Sequence, residues 1–256
     1  MLEKFKHIKH AEVEKLTAMK KNGSFPAPFN GQRPAFSANL KSNGPAIIAE
    51  IKKASPSRGT IRPDTEVAEL AAAYARNGAA AISVLTEEYF FKGNLKDLNA
   101  ACQANRPLLR KDFILDRIQL EHTAAYPASA VLLIVCFLNN DQKLKELVLQ
   151  SRLFGLEPVV EIFSKDELHA ARRAGADIIQ VNNRDLNTLN MDLNNSHSLI
   201  SEKTDGETWI CASGLSTREQ CLEMRALGFD ACLLGTCIML ADNPGQKLAE
   251  LTGTAK

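Results

Sequence analysis

The chain has 256 residues, a length that suits one large α/β barrel or two small domains. Hydrophobic residues make up 45% and charged residues 24%, which excludes general disorder. Lys plus Arg is 31 against 30 for Asp plus Glu, a formal charge of +1, so no global basic excess points to nucleic acid or to an anionic membrane surface. Any anion site has to be local.

The cysteines (Cys102, Cys136, Cys211, Cys221, Cys232 and Cys237) form no C-x-x-C pair, and the histidines complete no metal-ligand spacing. They read as scattered thiols in a reducing compartment, with no metal expected. Met1 to Leu16 lacks the apolar centre of a signal peptide. Ala130 to Leu138, the longest run free of charge and polarity, falls short of the roughly 20 residues a bilayer needs. A cytoplasmic protein with no membrane or nucleic-acid partner is expected.

In chain order, Leu2–Lys21 predicts a helix, and residues 22–44 a Gly, Pro, Asn and Ser-rich connection that reads as a flap or lid. Apolar runs then recur at Ala46–Ile51, Ala80–Leu85, Pro107–Arg110, Ala130–Cys136, Pro158–Ile162, Asp177–Val181, Thr208–Cys211 and Ala231–Leu234. Their Ile, Val and Leu content without polar alternation predicts parallel strands covered on both faces. Helical spacing fills the intervals at Thr65–Asn77, Asn94–Ala104, Asp116–Ala125, Asp141–Phe154, Lys165–Ala174, Ser196–Lys203 and Ser216–Leu227. Several open on a capping residue (Asn94, Asp116, Asp141, Ser164, Ser216), and several stop at Gly78, Gly155, Gly175 or Gly228. This alternation predicts a (β/α)8 TIM barrel with an extra N-terminal helical segment, the whole of 1–256 forming one domain. A doubly wound open sheet explains it less well, because no G-x-G-x-x-G follows the first strand.

In such a barrel, chemistry sits where strands end. Glu50 and Lys52 fall on the same side of the first strand's end. They suit either a solvated mouth or a plain strand-end salt bridge. Ser55, in the Ser-Pro-Ser-Arg-Gly stretch that follows, offers a hydroxyl to a phosphate or a cap to the next helix. Lys111 directly follows the third run, close to apolar Phe113 and Leu133. That setting suggests a lowered pKa and a general acid or base. Glu161 stands as a lone acid in an apolar run, where an unpaired charge is costly. Ser213-Gly214 and Gly235-Thr236 follow strands seven and eight, the positions where many barrels hold phosphate on backbone N–H groups.

These residues carry a family resemblance. Ile48 to Gly59, Ser83 to Glu87 with Phe91-Lys92-Gly93, Leu109 to Ile114, and Asn182 to Leu186 resemble indole-3-glycerol phosphate synthase, in order from about Leu2 to Leu251. The resemblance implies a (β/α)8 fold, membership of tryptophan biosynthesis, no metal or organic cofactor, and a small phosphorylated substrate. That substrate is 1-(2-carboxyphenylamino)-1-deoxyribulose 5-phosphate, cyclised with loss of carbon dioxide and water. It also implies roles. Lys111 protonates the substrate carbonyl, and Glu161 stabilises developing positive charge and assists dehydration. Glu50 and Lys52 are the strand-one pair, with Lys52 near the phosphate. Asn182 and Arg184 position hydroxyl and carboxylate groups. Ser55, Ser213, Gly214, Gly235 and Thr236 bind substrate or its phosphate, and Phe91, Phe113 and Leu133 wall the aromatic pocket.

The chain departs from the family pattern in three places. Ala212-Ser213-Gly214 stands where the family has Glu-Ser-Gly, removing a carboxylate from the mouth. Gln180 with Val181 replaces a Gly before the Asn-Asn-Arg segment, and Pro127-Ala128-Ser129 replaces Gly-Ala-Asp. The last two read as structural adjustments at the barrel's edges. Ala212 leaves two alternatives beside the synthase: a paralogue acting on a modified arylamino sugar phosphate, or a non-catalytic protein that binds a phosphorylated ligand.

Overall fold

Uninterrupted apolar runs become strands with both faces covered. They are β1 (Ala46–Ile51), β2 (Ala81–Leu85), β3 (Leu108–Lys111), β4 (Ala130–Ile134), β5 (Glu157–Ile162), β6 (Ile178–Asn182), β7 (Thr208–Ala212) and β8 (Ala231–Leu234). In the computed structural model, which describes residues 2–41, 44–186 and 188–255, each pairs in parallel with the next. β8 returns to β1 through Ala46↔Ala231, so the sheet closes. Closure settles the fold as a (β/α)8 barrel rather than an open doubly wound sheet.

The helices longer than four residues are α1 (Leu2–Lys21), α2 (Val67–Arg76), α3 (Lys96–Ala101), α4 (Arg117–Ala124), α5 (Asp141–Leu153), α6 (Lys165–Arg173), α7 (Asn194–Leu199), α8 (Arg218–Leu227) and α9 (Pro244–Thr252). Asp116 and Ser164 cap α4 and α6 as expected, but Asn140 and Thr217 take the caps expected at Asp141 and Ser216. In each case the residue with extended backbone precedes the first helical turn and accepts from an N–H there, as an N-cap must. At α3 the expected cap also holds: Asn94 Oδ1 accepts from the Lys96 N–H at 2.9 Å, with Leu95 between them. Helix α9 was not expected; Asn243 caps it, Pro244 opens it and Gly253 ends it in the left-handed region.

Alternation along the strands divides the core in two. Inward side chains such as Ile48, Leu109, Leu132, Val159 and Ile210 fill the barrel, while outward ones such as Ile47, Val131, Leu133, Val160 and Trp209 pack beneath the helices. Strand β4 stops at Ile134, short of the expected Cys136, because Val135–Leu138 winds into one helical turn ended by Asn139 at φ 47°.

The N-terminal segments go to opposite ends of the barrel. Leu2, Phe5 and Lys9 lie on the buried face of α1, and this face meets the mouth. The described part of the 22–44 connection seals the other end; Ser42 and Asn43 lie outside the described residues. Phe36 and Leu40 are fully buried, and the N–H groups of Phe36 and Ser37 donate to the carboxylate of Glu157, the first residue of β5. The expected flap is therefore a plug at the strands' N-terminal ends. The apolar side chains that were read as part of a mobile connection fill the barrel floor.

Candidate active site

At the strands' C-terminal ends a cavity of about 510 Å³ opens. It has an apolar wall from Phe5, Phe91, Phe113, Leu186 and Leu233, and a polar floor and rim from Glu50, Lys52, Lys111, Asn182 and Arg184. That volume is right for a small organic molecule with one ring and one phosphate. Of the residues expected at the site, Ser55, Ser213, Gly214, Gly235 and Thr236 also line it. Leu133 does not: it points outward from β4 into the layer under the helices, and Leu132 and Ile134 hold the inward positions. Glu161 is not in the wall either. It is 3% exposed and sits just beneath, reached through Lys111 and Asn182.

Each polar group is set by its strand. Glu50 at the end of β1 pairs with Lys52 at 2.9 Å, so the strand-end salt bridge and the functional mouth are the same feature. Burial raises the Glu50 carboxyl, but Lys52 and Lys111 outweigh it and hold it below its ordinary value. Gly235 follows β8 against this carboxylate, and a Cβ there would lie 2.6 Å from Glu50 Oε1. A side chain there would have to displace this carboxylate. At the end of β7, Ser213 and Gly214 take φ 71° and 87°, a left-handed pair that costs strain at the serine and turns the backbone at the cavity's edge.

Lys111 ends β3 with its Nζ 3.6 Å from Glu161 Oε2. Burial alone would lower its pKa, as the sequence suggested. Glu161 and Glu50 reverse that and hold it above its ordinary value. Lys111 is therefore a charged proton donor at neutral pH, not a base waiting to be protonated. Glu161 Oε1 accepts from Asn182 Nδ2 at 3.0 Å, and Asn182 Oδ1 accepts from the Arg184 backbone N–H at 3.0 Å. Arg184 is held below its usual value by burial and by Arg58, the second arginine in the wall. Two cations facing one cavity call for an anion between them.

Sequence reasoning passed over several functional groups. Phe5 reaches in from α1 and stacks on Phe113 with ring centroids 3.9 Å apart and 16° between planes, edge-on to Phe90 at 4.9 Å. Glu87, fully buried, accepts from the backbone N–H groups of Tyr89, Phe90 and Phe91 at 2.8, 2.7 and 3.0 Å, and so folds the loop that presents Phe91. Arg110 and Asp112 flank Lys111 but point away from the cavity. Asp112 binds Lys9 of α1 at 2.7 Å and Arg110 at 2.8 Å, and Arg110 also reaches Thr123 at 2.6 Å. The buried Lys9 was the one legible trace of this clamp: a charge on the apolar face of α1 needs a partner.

A sequence model described as indole-3-glycerol phosphate synthase matches residues 2–251. The chain belongs to the indole-3-glycerol phosphate synthase family. The indole-3-glycerol phosphate synthase of Aquifex aeolicus is 46% identical over 221 residues, covering 85% of each protein. That of Albidiferax ferrireducens is 38% identical over 264 residues, covering 100% of this chain and 99% of its own. Among solved structures, 3-hexulose-6-phosphate synthase from Salmonella typhimurium superposes with a TM-score of 0.64 at 11% identity, over 81% of this chain and 97% of its own. Thiamine phosphate pyrophosphorylase from Pyrococcus furiosus gives 0.61 at 14%, over 84% and 95%. These two share the barrel, and at such identity the fold alone. Within the synthase family the departures take on geometry. Ala212 lines the cavity opposite Asn182 in the β6–β7 register. Gln180 is no edge adjustment, because it is fully buried inside the barrel and bonded to Glu161.

Proposed function

We propose that the chain is a working indole-3-glycerol phosphate synthase that closes the indole ring of 1-(2-carboxyphenylamino)-1-deoxyribulose 5-phosphate with release of carbon dioxide and water. The observation that carries this reading is the placement of Lys111, 3.6 Å from Glu161 and lining, with Glu50, the base of an aromatic-walled cavity. A lysine kept protonated there has one evident use, which is to give its proton to an oxygen that gains negative charge.

The aromatic ring of the substrate lies against Phe113, Phe91 and Phe5, and the phosphate goes to the Ser55, Gly214, Gly235 and Thr236 rim with Lys52. Asn182 and Arg184 hold hydroxyl and carboxylate. The ring carbon bearing the carboxylate attacks the ketone carbon while Lys111 Nζ protonates the ketone oxygen. The carbon–carboxylate bond then breaks, carbon dioxide leaves, and its electron pair restores the aromatic ring. The apolar wall favours this step because it strips water from the carboxylate. In the last step the new hydroxyl takes a proton and leaves as water while the carbon next to nitrogen gives up its proton, with Glu161 stabilising the cationic nitrogen system and assisting these transfers. These transfers are assigned to Lys111 as donor and Glu161 as acceptor, and none of them is assigned to position 212.

The test is turnover of this arylamino ketose phosphate, followed as the rise of indole fluorescence in the native chain and in Lys111→Ala. A product signal that disappears in the variant supports the reading. Binding of indole-3-glycerol phosphate with no turnover by the native chain would overturn it.

A further inference from the structure

Gln180 occupies β6 directly opposite Glu161 in the β5–β6 register, next to Ile210 on β7, and is fully buried outside the cavity wall. Its Nε2 donates to Glu161 Oε2 at 2.5 Å, while Asn182, two residues further on, donates to Oε1 at 3.0 Å. A carboxylate only accepts, so the amide has to turn Nε2 toward it. That orientation leaves Gln180 Oε1 buried without a hydrogen-bond partner among the described residues. A position lined by Ile178 and Ile210 would take an apolar side chain more readily than an amide with an unmade bond. The amide therefore costs stability at this position, and its one hydrogen bond among the described residues is to Glu161.

The oxygen that Gln180 grips is the same one that faces Lys111 at 3.6 Å. With the amide in contact and the ammonium standing off, Glu161 is held on its own strand and Lys111 is not locked into a close ion pair. We propose that Gln180 is a positioning residue, which fixes Glu161 from β6 and so leaves the Lys111 ammonium directed at the substrate. Without the amide, Lys111 closes onto Glu161, and each turnover has to break that pair before the proton can be given. The inference rests on the synthase reading.

The experiment is steady-state kinetics and thermal unfolding of Gln180→Met, Glu161→Gln and the double variant. Methionine matches glutamine in length and removes both the amide and its unmade bond. The expected result is a kcat lower by about 10- to 100-fold, the range of a misplaced catalytic group, with KM within about twofold and a Tm equal or higher. In the Glu161→Gln background the same change adds no further loss, because Gln180 acts through that carboxylate. Native kcat in Gln180→Met, or an equal fold-loss in both backgrounds, overturns the proposal. If the methionine variant does not fold, the side-chain amide of Gln180 in the native chain decides by NMR. Slow proton exchange that is lost in Glu161→Gln supports the proposal, and indifference to that change overturns it. A native chain that fails to turn over the substrate defeats the synthase reading instead, and the NMR result still judges the Gln180–Glu161 link.

Discussion

Two ionic clusters meet on strand β3, one on each face. Outward, Arg110 and Asp112 are each 1% exposed in their side chains and saturated with partners: Asp112 binds Arg110 and Lys9, and Arg110 also binds Thr123. Inward, Lys111 has one carboxylate within 4 Å among the described residues, Glu161 at 3.6 Å, and keeps a face toward a cavity. Both clusters are buried, pair cations with carboxylates and are adjacent in sequence. The difference is satisfaction. A closed network stabilises, with α1 clamped to the barrel mouth, whereas a group left with spare hydrogen-bonding capacity is available to a substrate.

Exchanging the damage between the two faces breaks or sharpens this contrast. Lys111→Ala is expected to cost about 10²- to 10⁴-fold in kcat and less stability than a change at Arg110, because Glu161 keeps its hydrogen bonds from Gln180 and Asn182. Arg110→Ala is expected to do the reverse, losing about 3–5 kcal/mol of stability because Asp112 keeps a buried charge with one partner gone. Chemical denaturation and steady-state kinetics on both variants check the pair, and a large kcat loss at Arg110 with full stability would merge the two clusters into one.

The pH dependence of stability separates them further. Burial raises the Asp112 carboxyl, but Lys9 and Arg110 outweigh it and hold it well below the usual carboxylate range. A depressed folded pKa contributes stability that is present above the unfolded value of about 4 and is lost as pH falls through the folded one. Thermal unfolding from pH 7 down to about 3 should show the onset of that loss below about pH 4, and Asp112→Asn should flatten it. Lys111 has the opposite sign: its raised pKa contributes stability below about pH 10 that fades only as pH rises through the folded value. An NMR titration of its ammonium should therefore find it protonated throughout pH 6–9.

Smaller effects follow at the rim. Phe5→Ala removes the face stacked on Phe113. It should raise KM by about tenfold, the equivalent of ~1.4 kcal/mol of binding, with kcat little changed. Ala212→Glu should alter kcat by no more than about threefold, and a hundredfold gain would show that the missing carboxylate limits the chemistry.

Most of the barrel was legible because a parallel strand covered on both faces has to be apolar along its length. The same property hid the parity of β4. With no polar residue to mark a face, Leu133 and its neighbours looked alike, and only the structure turned Leu132 and Ile134 inward. Glu50, Lys52, Lys111 and Asn182 were readable since a polar group at the end of an apolar run needs a reason to be there. Phe5 was not, because an isolated helix does not reveal which surface its buried face meets. The Lys111 pKa was misread for a related cause: burial is visible in sequence, but two carboxylates arriving from β1 and β5 are not.

One measurement bears most directly on the central claim: carbon dioxide released per indole formed when the native chain is given the carboxyphenylamino deoxyribulose phosphate. A one-to-one ratio, with both signals absent in Lys111→Ala, is the expected result. Substrate binding with neither carbon dioxide nor indole would contradict it, and would leave the cavity as a binding site for a phosphorylated arylamine.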